Sequence, residues 1–360
     1  MSIDNENKSL RDIKNMTRGE IEEFISHLGK ETYRAQQIMK WLYQSGVDNF
    51  DDMTNLSKQF RADIKKHARI SSLTVRKILE SEDGTKKILF MLEDGALVES
   101  VLIREKNHWT LCVSTQVGCK MGCAFCLTGA FGFTRHLEAA EIAGQIGTVR
   151  FALPEGKDIK SIVMMGMGEP LDNYANMVRA VGIISDEMGL RISQRRITVS
   201  TCGLAPMIRR LGKDTQVNLA VSLNAADDET RNRLMPVNRK YPLDALIDAC
   251  IHYEMPRRRR ITFEYILMAG VNDSDTDARK LARLLKDVRC KFNLIPFNEF
   301  PGTPFKRPSE ERIDSFRNIL IAHRYTTMTR TSKGSDILAA CGQLSGQETF
   351  QKNVAGHRKA

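Results

Sequence analysis

Ile162-Val163-Met164-Met165-Gly166-Met167-Gly168-Glu169-Pro170 opens as an apolar run and stops in glycines, a carboxylate and a proline. A short apolar run bounded by turn residues reads as a buried strand, here over 162–167, and a helical pattern over 177–187 follows it. The same unit recurs downstream. Apolar runs at 197–201, 217–223, 261–267 and 292–297 alternate with helical periodicity, for example at 243–252 and 278–288, and a last strand is expected at 326–331. Upstream, a strand at 110–116 and a helix at 139–151 complete the series. Such βα alternation implies a parallel sheet covered by its crossover helices. A closed eight-stranded barrel takes about 250 residues, more than this stretch supplies. The pattern therefore predicts an α/β fold built on an open, partial (β/α)6 barrel, with an open doubly wound sheet as runner-up.

Two smaller units precede the barrel. Thr17-Arg18-Gly19-Glu20 is a capping-box pattern, followed by Ile21, Phe24, Ile25 and Leu28 at helical spacing. A second helix carries Ala35, Ile38, Met39, Trp41 and Leu42, and a third spans 58–68. These make a small basic helical domain over 1–70. Its Lys30, Arg34, Lys40 and the run from Lys65 to Arg69 are candidate RNA contacts, with solvated helix faces as the alternative. Asp83-Gly84 and Asp94-Gly95 are tight-hairpin signals between strands at 73–79, 86–92 and 97–103. They give a β-hairpin extension over 71–109. The expected order closes with a barrel core over 110–332, a carboxyl-terminal loop over 333–346 and a disordered tail over 347–360.

Of the 360 residues, 42% are hydrophobic and 27% charged, an ordinary balance for a soluble chain. No run approaches the length of a membrane span and the polar start is no signal peptide, which predicts a cytoplasmic protein without a membrane partner. Eight cysteines, three of them clustered and the rest scattered through an α/β pattern, favour a reducing compartment over a disulfide framework. The formal net charge of +10 fits a polyanionic partner such as nucleic acid, although a solvated basic surface gives the same number.

Three cysteines stand in the run Gly118-Cys119-Lys120-Met121-Gly122-Cys123-Ala124-Phe125-Cys126. Three thiolates can hold three corners of an iron–sulfur cube and leave one iron open to a small molecule. Such clusters ordinarily take four cysteines, so the missing fourth is informative. A structural zinc site is closed by four ligands, and Cys112 and His136, which could supply a fourth, sit at no usual zinc-knuckle spacing. The reading is one [4Fe–4S] cluster on Cys119, Cys123 and Cys126. In parallel α/β folds the chemistry gathers at the carboxyl ends of the strands. Those ends are small and polar here: Gly166 to Pro170, Ser200 to Gly203, Ser222-Leu223-Asn224, and Pro296-Phe297-Asn298. Each alone is an ordinary turn. On one rim they form a pocket suited to a zwitterionic amino acid joined to a ribose.

The cysteine spacing, with an aromatic before the last cysteine, is similar to that of radical S-adenosylmethionine (SAM) enzymes. From about Lys30 to Gly346 the chain resembles the dual-specificity radical SAM RNA adenine-C2 methyltransferases, the RlmN family. The resemblance rests on Cys119-x3-Cys123-x2-Cys126, Met165-Gly166-Met167-Gly168-Glu169-Pro170, Ser222-Leu223-Asn224, Asn293-Leu294-Ile295-Pro296-Phe297-Asn298 and Ala339-Ala340-Cys341-Gly342-Gln343-Leu344. It implies methylation at C2 of one adenine in 23S rRNA and one in the tRNA anticodon loop, two SAM per turnover, and a low-potential electron donor such as ferredoxin or flavodoxin. It implies SAM contacts at Gly168, Glu169, Ser200, Ser222, Leu223, Asn224 and Asn298. An aromatic C–H carbon offers no lone pair to an ordinary methyl donor. By the resemblance, Cys341 first accepts a methyl group from one SAM. A second SAM yields a radical that takes a hydrogen from methylated Cys341, and the carbon radical adds to adenine C2, joining enzyme to RNA. Glu99 then matches the base that removes the C2 proton. Cys112 matches the thiol that attacks the Cys341 sulfur, frees the RNA and leaves a disulfide.

Without the family these residues read blandly, Cys112 and Cys341 as small buried apolar groups and Glu99 as a solvated carboxylate. Cys202, Cys250 and Cys290 match nothing catalytic and read as structural. Gly334, Ala339, Ala340 and Gly342 suit a loop that swings Cys341 between two targets. The chain departs from the family pattern at Glu299, where proline is common, and at Leu127 and Ala130-Phe131, where residues are commonly smaller or more polar. Arg257 to Arg260 suit phosphate contact or a solvated loop equally. One rival is an adenine-C8 methyltransferase with the same machinery, against which Pro170 speaks modestly. The other is a non-catalytic, metal-stabilised RNA-binding protein, which leaves Glu99, Cys112 and Cys341 with no task.

Overall fold

The computed structural model describes residues 10–346, so the expected tail at 347–360 lies outside the described residues. The amino-terminal unit runs β1 (Arg11–Asp12), α1 (Arg18–His27), α2 (Arg34–Tyr43), α3 (Lys58–Lys65) and β2 (Ala68–Arg69). The capping box forms as expected: the Thr17 hydroxyl accepts from the Glu20 N–H, and the Glu20 carboxylate accepts from the Thr17 N–H. Ser57 caps α3 through a single bond, its hydroxyl accepting from the Phe60 N–H (3.2 Å). The apolar stripes Ile21, Phe24, Ile25 and Ile38, Met39, Leu42 are buried in a core continuous with that of the barrel. The two-residue parallel pair β1–β2 ties the ends of the unit together.

Strands β3 (Thr74–Glu80), β4 (Lys86–Met91) and β5 (Leu97–Arg104) form the expected antiparallel hairpins. They are not set apart from the barrel, because β5 pairs antiparallel with its first strand, β6 (Trp109–Cys112). After a small hairpin of β7 (Gln116–Gly118) and β8 (Phe133–His136), with the short helix α4 (Leu127–Ala130) between them, the βα units follow in order. They are α5 (Ala139–Ala152), β9 (Ile159–Met164), α6 (Tyr174–Ser185), β10 (Ile197–Thr201), α7 (Ala205–Asp214), β11 (Asn218–Ser222), α8 (Asp228–Leu234), α9 (Leu243–Ile251), β12 (Ile261–Leu267), α10 (Asp275–Leu284), β13 (Cys290–Pro296), α11 (Glu310–Ala322) and β14 (Thr327–Thr329).

All ten strands from β3 to β6 and β9 to β14 share one sheet, in the order β14-β13-β12-β11-β10-β9-β6-β5-β4-β3. From β6 to β14 every pair is parallel. A doubly wound sheet reverses its strand order at a switch point. This order never reverses and no bond closes β14 onto β3, so the architecture is the open six-unit barrel, extended by three antiparallel strands.

One expected strand is divided. The run at 110–116 stops at Cys112, and Gln116 instead begins β7. The cause is local: the Thr115 and Gln116 N–H groups donate to Met167 O (2.9 and 3.2 Å), which turns the chain across the rim. Gly118 then adopts φ +76°, where a Cβ would stand 2.0 Å from the Gly132 carbonyl. Gly118→Ala should therefore cost about 1–3 kcal/mol or more, from left-handed backbone plus a backbone clash. A thermal melt with parallel iron analysis checks this, and an unchanged transition would contradict it.

Candidate active site

Strand β7 feeds the chain into the cysteine loop, which its own backbone holds in place. The Cys119 N–H donates to Gly132 O (2.7 Å), Cys126 to Cys123 O (3.1 Å) and Ala124 to Leu234 O (2.9 Å). Phe125, the aromatic before the last cysteine, anchors the loop in an apolar cluster with Cys202, Met235, Ile266 and Phe297. The three thiols are free and half-buried. Burial pushes Cys119 up to about 12 and Cys123 well above the usual thiol range, and the neighbouring thiols add to the push. Thiols so placed become thiolates only against a cation, since metal ligation requires deprotonated sulfur. That donor set fits an iron cluster. Among the described residues no three His, Cys, Asp or Glu side chains converge as they would around a single ion. His136, weighed above as a fourth ligand, bonds instead to Gln116 (3.0 Å).

A cavity of about 140 Å³ lies against the loop, and its walls carry all three cysteines together with Gly168, Glu169, Ser200 and Ser222. Gly168, at φ +96°, must be glycine, since a Cβ would stand 2.5 Å from the Gln116 side chain. Glu169 is held rigidly: Oε1 accepts from the Leu171 N–H (2.9 Å) and Oε2 from the Cys202 N–H (2.8 Å). Burial pushes its carboxyl up, and those amide bonds oppose the push. The side chains of Leu223 and Asn224 are fully buried and do not line this cavity. Asn224, at φ +57°, accepts from the Ile266 N–H (2.8 Å) and so braces the wall between β11 and β12. Leu223 O accepts from buried Arg231 (3.0 Å). Cys202, read as structural, lines the cavity, while Cys250 and Cys290 are buried elsewhere.

Sequence reasoning passed over Glu264, which also lines this cavity. It is 7% exposed, accepts from Ser200 Oγ (3.2 Å), and is pushed up by burial. Its signal was visible as a carboxylate in the middle of the apolar run Ile261-Thr262-Phe263-Glu264-Tyr265-Ile266-Leu267.

A second cavity of about 100 Å³ adjoins the first and holds Cys112, Asn298, Arg330 and Ser332. Cys341 lines both cavities, as does Cys126. The Cys341 loop is strapped down: Leu127 N–H donates to Gly342 O (2.7 Å), Thr128 Oγ1 to Leu344 O (2.6 Å) and Gln343 Nε2 to Glu299 O (2.9 Å). Asn298 Nδ2 donates to Cys341 O (3.5 Å), so Asn298 meets the loop as well as the cavity. Arg330, also passed over, is half-buried, and its Nη1 lies 3.7 Å from Cys341 Sγ. Burial pushes Cys112 up to about 12 and raises Cys341, and the Arg330 charge opposes both.

At neutral pH Cys112 is therefore a thiol. The thiolate fraction of such a group rises about tenfold per pH unit until its pKa is approached. Alkylation of Cys112 by iodoacetamide should accelerate by that factor per unit from pH 7 to 10, as read by peptide mapping. A plateau near pH 8 would contradict the burial argument.

Glu99 lies on β5 and lines neither cavity. It is fully buried, not solvated, with Oε1 3.3 Å from Lys87 Nζ and Oε2 accepting from the Ser345 and Gly346 N–H groups (2.8 and 3.1 Å). Several candidate RNA contacts are paired with carboxylates: Arg34 with Glu31, Lys65 with Asp51, Lys66 with Asp63 and Arg69 with Glu93. Arg257 to Arg260 precede β12, at the rim opposite the two cavities; Arg260 donates to Thr326 Oγ1 (2.7 Å).

An open parallel barrel that turns three cysteines and a glycine–carboxylate rim toward one cavity defines a radical SAM enzyme. Residues 113–282 match the radical SAM superfamily, and residues 11–70 match the ribosomal RNA large subunit methyltransferase N-terminal domain. The chain is 56% identical over 340 residues to the dual-specificity RNA methyltransferase RlmN of Syntrophus aciditrophicus strain SB, covering 94% of this chain and 98% of that one. It is 53% identical to the RlmN of Geobacter sulfurreducens, over 93% of this chain and 92% of that one. The crystal structure of a radical SAM methyltransferase from Sphaerobacter thermophilus superposes with a TM-score of 0.88 at 46% identity, covering 94% of this chain and all of the other. The chain belongs to the RlmN family of dual-specificity RNA methyltransferases.

Proposed function

We propose that the protein methylates C2 of one adenine in 23S rRNA and one in tRNA, in the cytoplasm, using one [4Fe–4S] cluster, two SAM per turnover and a ferredoxin- or flavodoxin-like donor. The observation that carries this reading is the position of Cys341 in the walls of both cavities, one holding the three cluster cysteines and the other holding Cys112. A methyl carrier must meet a methyl donor on one side and a resolving thiol on the other.

Cys119, Cys123 and Cys126 would hold the cluster, and Gly168, Glu169, Ser200 and Ser222 would bind SAM beside it. Leu223 and Asn224 brace that wall and Asn298 positions the Cys341 loop. When bound, cluster and SAM supply a carbon-centred radical by one-electron reduction. The chain's own residues do the rest. Cys341 sulfur takes the methyl group, forming an S–C bond as the donor's sulfonium–methyl bond breaks. Once the methyl carbon on Cys341 has lost a hydrogen atom to that radical and bonded to adenine C2, and the adduct has passed one electron to a one-electron acceptor of the iron–sulfur or flavin class, Glu99 accepts the proton from C2. Cys112 gives up its thiol proton as its sulfur attacks Cys341 sulfur, so that an S–S bond forms, the S–C bond breaks, and its electron pair, with a proton, completes the methyl group on RNA.

In this reading the unit 1–70 contacts RNA, 71–109 extends the sheet, 110–332 is the catalytic barrel, and 333–346 carries the methyl group. No helix among the described residues is long and apolar enough to cross a membrane. The test is anaerobic reconstitution with iron and sulfide, followed by separate assays on rRNA fragments and tRNA transcripts. Mass spectrometry against 2- and 8-methyladenosine standards should find only the 2-isomer. Exclusive 8-isomer would overturn the regiochemistry, and a colourless zinc protein without SAM cleavage would overturn the activity.

A further inference from the structure

Lys87 has no part in the reading above, yet its side chain is only 2% exposed within β4. Lysine is almost never fully buried without a partner. The β4–β5 register sets Lys87 opposite Val101 and Leu89 opposite Glu99. Lys87 and Glu99 are thus diagonal neighbours on one face of the sheet, and the Val101–Cys112 pair puts Cys112 on that face too. Lys87 Nζ lies 3.3 Å from Glu99 Oε1 and donates to Leu338 O at 3.1 Å. Glu99 Oε2 meanwhile accepts from the Ser345 and Gly346 amides. One ammonium and one carboxylate therefore grip both ends of the segment 338–346, which carries Cys341.

Stability alone is a poor reason for this arrangement, since apolar groups of similar shape commonly replace a buried ion pair at no loss. Nor is the arrangement permanent through a catalytic cycle that uses Glu99. In the state described here both carboxylate oxygens are engaged, and the Oε2 side is closed by the Cys341 loop. A base that is to meet adenine must be uncovered on that side while staying oriented from the other. Lys77 on β3 is the further charge that acts on Lys87, and it opposes the ammonium. Around the Glu99 backbone stand the neutral groups Ser100, Ser114 and Gln145.

We infer that Lys87 is the positioning residue for proton removal: it orients Glu99 through Oε1 and sets it in register with the Cys341 loop, while the amides on Oε2 give way to the C2–H of the target adenine. The proton passes from C2 to Oε2, and no bond to Lys87 forms or breaks. The inference rests on the reading of Glu99 as the base.

The test compares wild-type holoenzyme with Lys87→Met and Lys87→Arg, each checked for iron content and thermal transition. Three stages are read separately: methyl-Cys341 by mass spectrometry with SAM alone, covalent RNA adduct after reduction, and release of methylated RNA with hydrogen or deuterium at adenine C2. Lys87→Met should keep methyl-Cys341 within about twofold of wild type and slow release about tenfold or more with a new C2 isotope effect, an interaction lost at one step only. Lys87→Arg should restore most of the rate. Parallel losses at all three stages, or release at the wild-type rate, would overturn the assignment of Lys87. A wild-type enzyme that never carries a methyl group on Cys341 overturns the site reading and this inference with it.

Discussion

Replacing Cys112 by alanine is expected to leave the enzyme covalently joined to its RNA. Cys112 is 7% exposed on β6, and it shares a cavity of about 100 Å³ with Cys341. The only other cysteine in that cavity is Cys126, which the cluster would engage. Cys202, Cys250 and Cys290 do not line it. No substitute thiol is at hand, so the S–C bond between Cys341 and the methylated base has no attacker. Adduct should approach one RNA per enzyme, while multiple turnover falls by on the order of 10³-fold or more, as for removal of one member of a catalytic unit. Denaturing gels with labelled RNA read the adduct directly. Free methylated RNA released at the normal rate would remove Cys112 from the mechanism.

Cys341→Ala is expected to abolish methylation altogether while sparing the cluster. The Cys341 thiol is the only group of that residue the chemistry uses. The contacts that fix the loop here are accepted by its own backbone carbonyls, Leu127 N–H donating to Gly342 O and Asn298 Nδ2 to Cys341 O, and alanine keeps them. The walls that would bind SAM, at Gly168, Glu169, Ser200 and Ser222, are untouched. Iron content and reductive SAM cleavage should therefore stay within about threefold of wild type, whereas methyl-RNA falls by about 10³-fold or more, the mark of a group used only in the bond-forming steps. Methyladenosine formed by this variant would show that the methyl group travels by another route.

Most of the fold was legible because each element carries its own local signal. The capping box at Thr17–Glu20 and the Asp83-Gly84 and Asp94-Gly95 turns fixed helix and hairpin positions. Runs rich in β-branched and aromatic residues marked β10 and β12 at their observed bounds. What escaped depends on contacts far apart in sequence. The β7–β8 hairpin arises from Met167 and Gly132 carbonyls meeting the chain at 115–119. The pairing of β5 with β6, which fuses the hairpin extension to the barrel, is likewise a tertiary outcome. For the site, the cysteine spacing and the glycine–carboxylate rim are local patterns and could be read directly. Glu99 was misjudged as solvated when taken alone, because its partners Lys87 and Ser345 come from a neighbouring strand and from the far end of the chain. Arg330 and Glu264 were passed over for the same reason: a charged residue shows its surroundings only once strands distant in sequence come together around it.

Every step proposed for this site depends on a four-iron cluster held by three protein thiolates, with one iron left for SAM. Mössbauer spectroscopy of the anaerobically reconstituted ⁵⁷Fe protein, with and without SAM, tests it most directly. Four irons per chain are expected, one of them distinct and shifting when SAM is added. Four equivalent irons indifferent to SAM, or no iron retained at all, would contradict it.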